Sequence, residues 1–243
     1  MLESKETNGI LTGDVYAVVA QPYDVVGGTL PQMHHWCDIL MLPFNVKGCS
    51  ARGSGRSGNL SVAIGRKADQ PVSDAYLVDF SYRVVAATAD YLSVQLGADS
   101  GPFGTKNYRI VLQATPLDAK RSFVHLSYSY GYGAAARLAM KAYLATTGRD
   151  KVGFSIVGRR PDGGAVYIGG ERGVIERNSM RYYLAIEAFL GAPGAEQADK
   201  RLNDWFAAVE RYPRQLHEMG RDEYLTMKRR ELARQNAVAV TSN

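Results

Sequence analysis

The chain has 243 residues, of which 46% are apolar and 22% are charged. This composition is ordinary for a globular protein and excludes a mainly disordered chain, a collagen-like array and a coiled coil. Lys and Arg exceed Asp and Glu by only 29 to 24, and the densest basic run, Lys228–Arg230, is followed by Glu231. Because nucleic-acid-binding proteins gather their cations on one face, this mixture of charges disfavours a nucleic-acid partner.

The N-terminal third begins with a polar lead-in, after which Gly13–Ala20 is predicted to form a strand. Between positions 22 and 36 the apolar residues predict a helix that glycines and a proline break into two turns. Ile39–Val46 is predicted as a strand and Ala51–Asn59 as a loop. Within that loop Gly53–Gly58 matches G-x-G-x-x-G, but a strand is predicted to follow it, which favours a flexible loop over a dinucleotide site.

The middle of the chain alternates apolar and polar residues, as is typical of antiparallel strands with one covered face. The alternation predicts four strands, at Asp74–Val84, Tyr91–Leu96, Tyr108–Ala114 and Phe123–Tyr132. Short connections between them predict a meander.

The C-terminal part is mainly helical. Its predicted elements are a helix at Ala134–Thr147, a hairpin of Val152–Val157 with Ala165–Ile168, a helix at Gly173–Leu190 and a charged helix near Gln215–Gln235. Arg177 and Arg181 share one face of the Gly173–Leu190 helix, and we expect that face to be solvated or partly paired. The predicted fold class is α+β.

The two cysteines, Cys37 and Cys49, allow two interpretations. A disulfide between them would close a short loop, whereas a reducing compartment would leave two buried thiols. The residues alone do not decide between these. No C-x-x-C motif is present, so zinc binding and thioredoxin-type chemistry have no support.

The run His34–Asp38 places several metal-ligating or catalytic side chains within five residues. A metal would need a third ligand from elsewhere, for which His125 is the best candidate, and Cys37 with a histidine would resemble a nucleophile and its base. A structural role is favoured over both. The sequence carries no known catalytic motif, so we predict no catalytic residue, metal or cofactor.

Two aromatic stripes follow predicted strands, one at Tyr128, Tyr130 and Tyr132 and the other at Tyr76, Phe80 and Tyr82. Aromatic residues at this spacing usually belong to a core. Each buried phenol nevertheless needs a polar partner, and a cavity lined by tyrosine suits an apolar molecule with a few polar groups.

The order of these elements resembles the START/Bet v 1-like superfamily (SRPBCC, the helix-grip fold). The resemblance is carried by the first strand, then Pro22 with Val26, Leu30 and Trp36, then the meander and a long C-terminal helix. It implies a curved antiparallel sheet wrapped on the Gly173–Leu190 helix around a cavity for lipids, sterols or polyketides, with Tyr183 and Leu184 facing the sheet. The implied ligand-binding domain covers residues 13–190, and residues 196–236 form a helical extension packed on it.

Three stretches, Trp36–Cys49, Ser127–Gly153 and Gly173–Leu190, also resemble an uncharacterised group of exported proteobacterial proteins. That resemblance implies a periplasmic or secreted protein with an oxidised Cys37–Cys49 pair. The sequence as given shows no secretory signal, so a mature form restarted at Met1 and a cytoplasmic protein are both kept as alternatives.

These observations favour a binding protein that holds or carries a lipid, sterol or similar hydrophobic molecule. We expect no nucleic-acid partner and no transmembrane segment, and we expect that the protein can contact a membrane transiently. The predicted ligand-binding residues are Phe80, Tyr82, Tyr128, Tyr130, Tyr132 and Tyr183. One alternative is a cyclase/aromatase-like enzyme on the same fold, using His125 or the His34–Asp38 run. The other is an interaction module that docks through Leu202, Trp205 and Phe206. The oligomeric state stays open.

Overall fold

Eight antiparallel strands form one sheet in a computed structural model that describes residues 1–146 and 148–241. The strands are β1 (Leu2–Thr7), β2 (Ile10–Val19), β3 (Val46–Ser54), β4 (Ser57–Ile64), β5 (Tyr76–Ala87), β6 (Leu92–Ser100), β7 (Thr105–Asp118) and β8 (Arg121–Tyr132). They lie in the order β1-β2-β8-β7-β6-β5-β4-β3, so the second strand pairs with the last. The predicted meander is therefore present, and the long alternating strands form its centre.

Seven α-helices and one small hairpin complete the described chain. The helices are α1 (Tyr23–Thr29), α2 (Met33–Leu40), α3 (Ala134–Ala145), α4 (Gly170–Leu190), α5 (Ala198–Glu210), α6 (Pro213–Leu216) and α7 (Arg221–Thr241), and the hairpin pairs β9 (Ile156–Arg159) with β10 (Ala165–Tyr167). The predicted break between two helical turns falls between α1 and α2. None of the described helices is both long enough and apolar enough to cross a membrane.

The long helix α4 packs across the inner face of the sheet, against β1, β2 and β8. Gly13 permits this close approach, because a Cβ at that position would lie 2.4 Å from Ser179 Oγ. The Ser179 hydroxyl instead donates a hydrogen bond to the Gly13 carbonyl at 3.3 Å. The missing side chain in β2 thus determines how deeply α4 lies on the sheet.

Three predictions near the N-terminus were wrong. The polar lead-in is strand β1, which pairs with β2 along its whole length. Ile39–Val46 is not a strand: the run completes α2 and a turn, and its apolar residues are buried from several sides instead of in a ladder. Ala51–Asn59 is a hairpin rather than an open loop, with Gly53 paired to Gly58 across the turn. The G-x-G-x-x-G motif therefore forms the turn of a β-hairpin. It does not join a strand to a helix, as a dinucleotide-binding motif would.

The C-terminal helices α5 and α7 pack on the rest of the chain through large side chains. Trp205 is fully buried, donates its indole N–H to the Arg181 carbonyl at 3.1 Å and lies 4.9 Å from the Phe44 ring. Tyr224 is also fully buried and donates to the Leu42 carbonyl at 2.9 Å. The apolar residues suggested for partner docking are therefore core residues of the chain itself: Leu202, Trp205 and Phe206.

The Cys37–Cys49 disulfide is formed and ties the end of α2 to β3. This decides between the two interpretations of the cysteines in favour of the bridge.

Candidate ligand-binding site

Four tyrosines from three elements meet between the inner face of the sheet and α4. Tyr108 comes from β7, Tyr128 and Tyr130 come from β8, and Tyr182 comes from α4; we call this group the tyrosine cluster. The rings of Tyr108 and Tyr130 stack with centroids 5.4 Å apart, and Tyr182 meets Tyr128 edge-on at 5.2 Å. Alternation along β8 places its two tyrosines on the same covered face.

The hydroxyl groups of the tyrosine cluster are mostly unpaired. Tyr108 shares a 2.6 Å hydrogen bond with the Thr105 hydroxyl. The hydroxyls of Tyr128, Tyr130 and Tyr182 have no hydrogen-bond partner among the described residues. Burial raises the pKa of all three phenols, so they remain neutral donors at physiological pH. None of these three oxygens is among the fully enclosed atoms that lack a partner, so each hydroxyl borders space that water or a ligand can enter.

The predicted stripe residues divide between this cluster and other places. Phe80 borders the cluster, with its ring 6.2 Å from that of Tyr108. Tyr82 lies apart from it, donates to the Pro31 carbonyl at 2.7 Å and packs near Trp36. Tyr132 also lies outside the cluster: it is half-buried, bonds to a carboxylate of β1 and carries a guanidinium of α3 over its ring.

Tyr183 does not face the sheet as predicted. Its hydroxyl donates to Glu187 Oε1 at 3.1 Å on the same helix, and Arg211 and Tyr212 are among the groups that affect its pKa. One residue along a helix is a rotation of about 100°, so Tyr182 takes the sheet-facing position instead. Two adjacent tyrosines carry no sequence signal that tells which one points inward.

A cluster of positive charge adjoins the tyrosine cluster, contrary to the solvated face expected for α4. Arg177 and Arg181 are 1% and 5% exposed. Lys67 and Lys151 lie beside Arg181 around a single carboxylate, Glu218. We call Lys67, Lys151, Arg177 and Arg181 the cation cluster.

The pKa values in the cation cluster reflect three cations, Lys67, Lys151 and Arg181, around one carboxylate. Burial, and next the charge of Arg181, lower the pKa of Lys67 to about 8. Burial alone would raise the pKa of Glu218, but the charges of Arg181, Lys67 and Lys151 outweigh it and hold this carboxylate ionised. Lys67 Nζ lies 2.6 Å from Glu218 Oε1, and Lys151 Nζ lies 3.9 Å from Oε2.

Arg177 connects the two clusters. It donates to the Val152 carbonyl at 3.3 Å and to the Tyr143 hydroxyl at 3.5 Å, and it pairs with no carboxylate in the described part of the chain. Its charge also acts on the phenol of Tyr130, where it opposes the rise in pKa that burial causes. Phenols and guanidinium groups therefore occupy one continuous region at the α4 side of the sheet.

Glu176 is a buried carboxylate that positions α4 and the segment before it. It is fully buried and accepts hydrogen bonds from the Phe154 and Ser155 amides at 2.6 and 2.9 Å. The hydroxyls of Ser4 and Ser155 donate to its other oxygen at 2.6 and 2.7 Å. All its contacts are made by the protein itself, which marks it as a structural group.

The histidines considered for catalysis lie away from both clusters. His125 lies on the outer face of β8, between Asp14 and Gln113 at 3.0 Å each, and stacks on Tyr16. His35 is held by the Thr29 carbonyl at 2.8 Å. Among the described residues, no group of three potential metal ligands is present.

An open groove of about 880 Å³ runs over strands β4 to β7. Polar and charged side chains of the outer face supply much of its lining, among them Asp79, Ser81, Arg83, Gln95 and Arg109. Tyr82, Leu96 and Tyr108 border the groove as well, so it reaches the edge of the tyrosine cluster.

The architecture defines the class of protein. A curved antiparallel sheet whose first long strand pairs with its last, two short helices after that first strand, and a long helix across the inner face make up the helix-grip fold. The chain thus has the helix-grip fold, with β1, α3 and the helices after α4 as additions to it.

No family model matches the chain, and no curated protein is similar to it. Solved structures of similar fold include a conserved protein from Geobacillus kaustophilus, with 10% identity over 74% of this chain and 95% of that one and a TM-score of 0.42. An aromatase/cyclase, Zhui, from a Streptomyces species has 14% identity over 84% and 95%, with a TM-score of 0.39. Truncated norcoclaurine synthase from Thalictrum flavum has 15% identity over 60% and 90%, with a TM-score of 0.38. These values describe a distant likeness in fold and carry no information on ligand or activity.

Proposed function

We propose that this protein binds a hydrophobic small molecule, such as a lipid, between the inner face of its sheet and α4, with the tyrosine cluster as the floor of the site. The observation that carries the proposal is the set of three phenols, Tyr128, Tyr130 and Tyr182, whose hydroxyls have no partner among the described residues. Because these hydroxyls are not fully enclosed, water can satisfy them in the free protein, and a bound ligand with polar groups would take the place of that water.

The surroundings support an apolar ligand body. Buried apolar residues are sheet neighbours of the phenols: Ala98 pairs with Tyr108, Ile110 pairs with Tyr128, and the Phe80 ring lies 6.2 Å from that of Tyr108. Because the rings contact one another, with centroids 5.2–5.7 Å apart at Tyr182–Tyr128 and Tyr128–Tyr130, a ligand enters by parting them. We propose that the ligand enters on the side of Tyr108 and Tyr182, because these two residues are half-buried. The internal cavity itself stays a prediction.

Substituting tyrosine by phenylalanine tests the proposal. Tyr128→Phe removes a hydroxyl that no described residue uses, so the free protein should keep its stability. Binding of a lipid probe such as a fluorescent fatty acid should weaken about two- to tenfold, the value of one hydrogen bond.

Tyr224→Phe is the matched control. Its hydroxyl donates to the Leu42 carbonyl and is far along the chain from the cluster, so this substitution should lower stability and leave probe binding unchanged. Equal effects of the two substitutions on both measurements would refute the proposed site.

We also propose that the protein works in an oxidising compartment such as the periplasm, a proposal supported by the Cys37–Cys49 bridge. Alkylation of free thiols in intact cells tests this: the cysteines should be protected until a reductant is added. Immediate labelling of both would place the protein in a reducing compartment.

A further inference from the structure

The cation cluster has more positive charge than the protein compensates. Three cations, Lys67, Lys151 and Arg181, pair with the carboxylate of Glu218. The charge of Arg177 acts on Arg181, and Glu210 is the one other carboxylate that acts on Lys151. Two of the four cations in the cluster are arginines that are at least nine-tenths buried, and Arg177 has no carboxylate partner in the described chain. A buried charge is costly unless it is paired. The excess therefore points to an anion that the protein itself does not supply.

One atom indicates where that anion lies. Among the fully enclosed side-chain nitrogens and oxygens of the described residues, only Nε of Arg181 lacks a hydrogen-bond partner. One terminal nitrogen of the same guanidinium is occupied by Glu218 and by the Leu216 carbonyl, and the other has the Asn178 side chain at 3.5 Å. A guanidinium offers five N–H donors in a fixed plane, which suits the two oxygens of a carboxylate or phosphate.

The cation cluster also has a route to solvent. The Lys67 and Lys151 side chains are 33% and 22% exposed, whereas that of Arg181 is 6% exposed. The positive charge therefore extends from the surface to the buried arginines, next to the tyrosine cluster. This charge favours the approach of an anion from the side of Lys67 and Lys151.

We propose that the ligand of this protein is an amphiphile with an oxyanion head group, carboxylate or phosphate, that binds to Arg181 and Arg177 while its apolar body lies on the tyrosine cluster. The placement of the apolar body rests on the proposed function. The placement of the oxyanion head group does not, because it is argued from the cation cluster alone.

The test compares three probes of equal chain length: dodecyl phosphate, dodecanoate and dodecan-1-ol, each titrated by calorimetry below its aggregation concentration. At least one anionic probe should bind about tenfold or more tightly than the alcohol, the value of a charge-assisted hydrogen bond. The stronger of the two anions identifies the head group. In Arg181→Gln that advantage over the alcohol should disappear.

Two further variants keep the result interpretable. Lys67→Gln combined with Lys151→Gln changes only half-buried residues and should reduce the anionic advantage even if Arg181→Gln does not fold. Lys200→Gln removes an exposed cation that pairs with Asp204 on α5, and it should leave all three affinities unchanged. Equal loss of binding in Lys200→Gln would show that only overall charge matters and would overturn the inference.

Two other outcomes separate this inference from the proposed function. If all three probes bind equally well, the hydrophobic site stands and the anionic head group is refuted. If none binds, the proposed function fails. Titration with inorganic phosphate then tests the anion site separately: binding would support that site, and no binding would refute it. The reference is Arg201, a buried arginine of α5 that donates to the Ala192 carbonyl at 2.9 Å. A shift of the Arg181 Nε–H resonance in the nitrogen-15 spectrum, with that of Arg201 unmoved, would support the site, and no shift would overturn it.

Discussion

Replacing Glu176 tests how the structure holds α4, the helix that contributes to both clusters. In Glu176→Ala the amides of Phe154 and Ser155 lose their acceptor, and no other acceptor is available to them among the described residues. Each buried amide left unpaired costs about 1–3 kcal/mol, so the free energy of unfolding should fall by about 4 kcal/mol. Glu176→Gln keeps one oxygen for the two amides and presents an amide N–H₂ to the hydroxyls of Ser4 and Ser155, which can accept.

The glutamine variant should therefore lose only the charge assistance of those bonds, about 1–2 kcal/mol. Urea denaturation followed by circular dichroism measures both losses. Glu223→Ala, an exposed carboxylate in the first turn of α7, is the control and should cost under about 1 kcal/mol. The reasoning would be refuted if the alanine and glutamine variants were equally destabilised, or if Glu176→Ala were no worse than the control.

Three more predictions concern stability. Gly13→Ala places a methyl group 2.4 Å from a serine hydroxyl of α4 and should cost about 1–3 kcal/mol in urea denaturation, and an unchanged midpoint would contradict this close packing. Reducing the Cys37–Cys49 bridge, with its separation of 12 residues, should cost about 3 kcal/mol; equal midpoints with and without reductant would count against that. Burial lowers the pKa of Lys228 from 10.5 to about 8, so between these values the unfolded chain binds more protons and stability should rise with pH. Lys228→Met should lose this part of the rise, and an identical pH dependence in the variant would show that the lysine does not contribute.

The central sheet was predictable because alternation along a strand is a strong signal. In β8 the buried residues occur at every second position, so the partners of Tyr128 and Tyr130 on the covered face followed from the sequence. By contrast, β1 is an edge strand made of Leu2–Thr7 with three charged residues. Edge strands tolerate charge, so its sequence does not differ from that of a polar loop.

The candidate site was only partly predictable, because much of it depends on how α4 is rotated. Sequence spacing places Arg177 and Arg181 on one face of a helix, but a charged face normally points to solvent. That these arginines are buried follows from the packing of α5 and the segment around Glu218 over them. The same rotation of α4 turns Tyr182, and not Tyr183, toward the sheet. No local feature of the sequence indicates this rotation.

The most direct test of the central claim is native mass spectrometry of the purified protein after incubation with a lipid extract, followed by organic extraction of whatever has bound. The account predicts a complex of one protein with one amphiphile, and Tyr128→Phe should form less of it under the same conditions. A protein that keeps its bare mass after incubation, or one that takes up lipid in variable numbers unaffected by the substitution, would contradict a defined site between the sheet and α4.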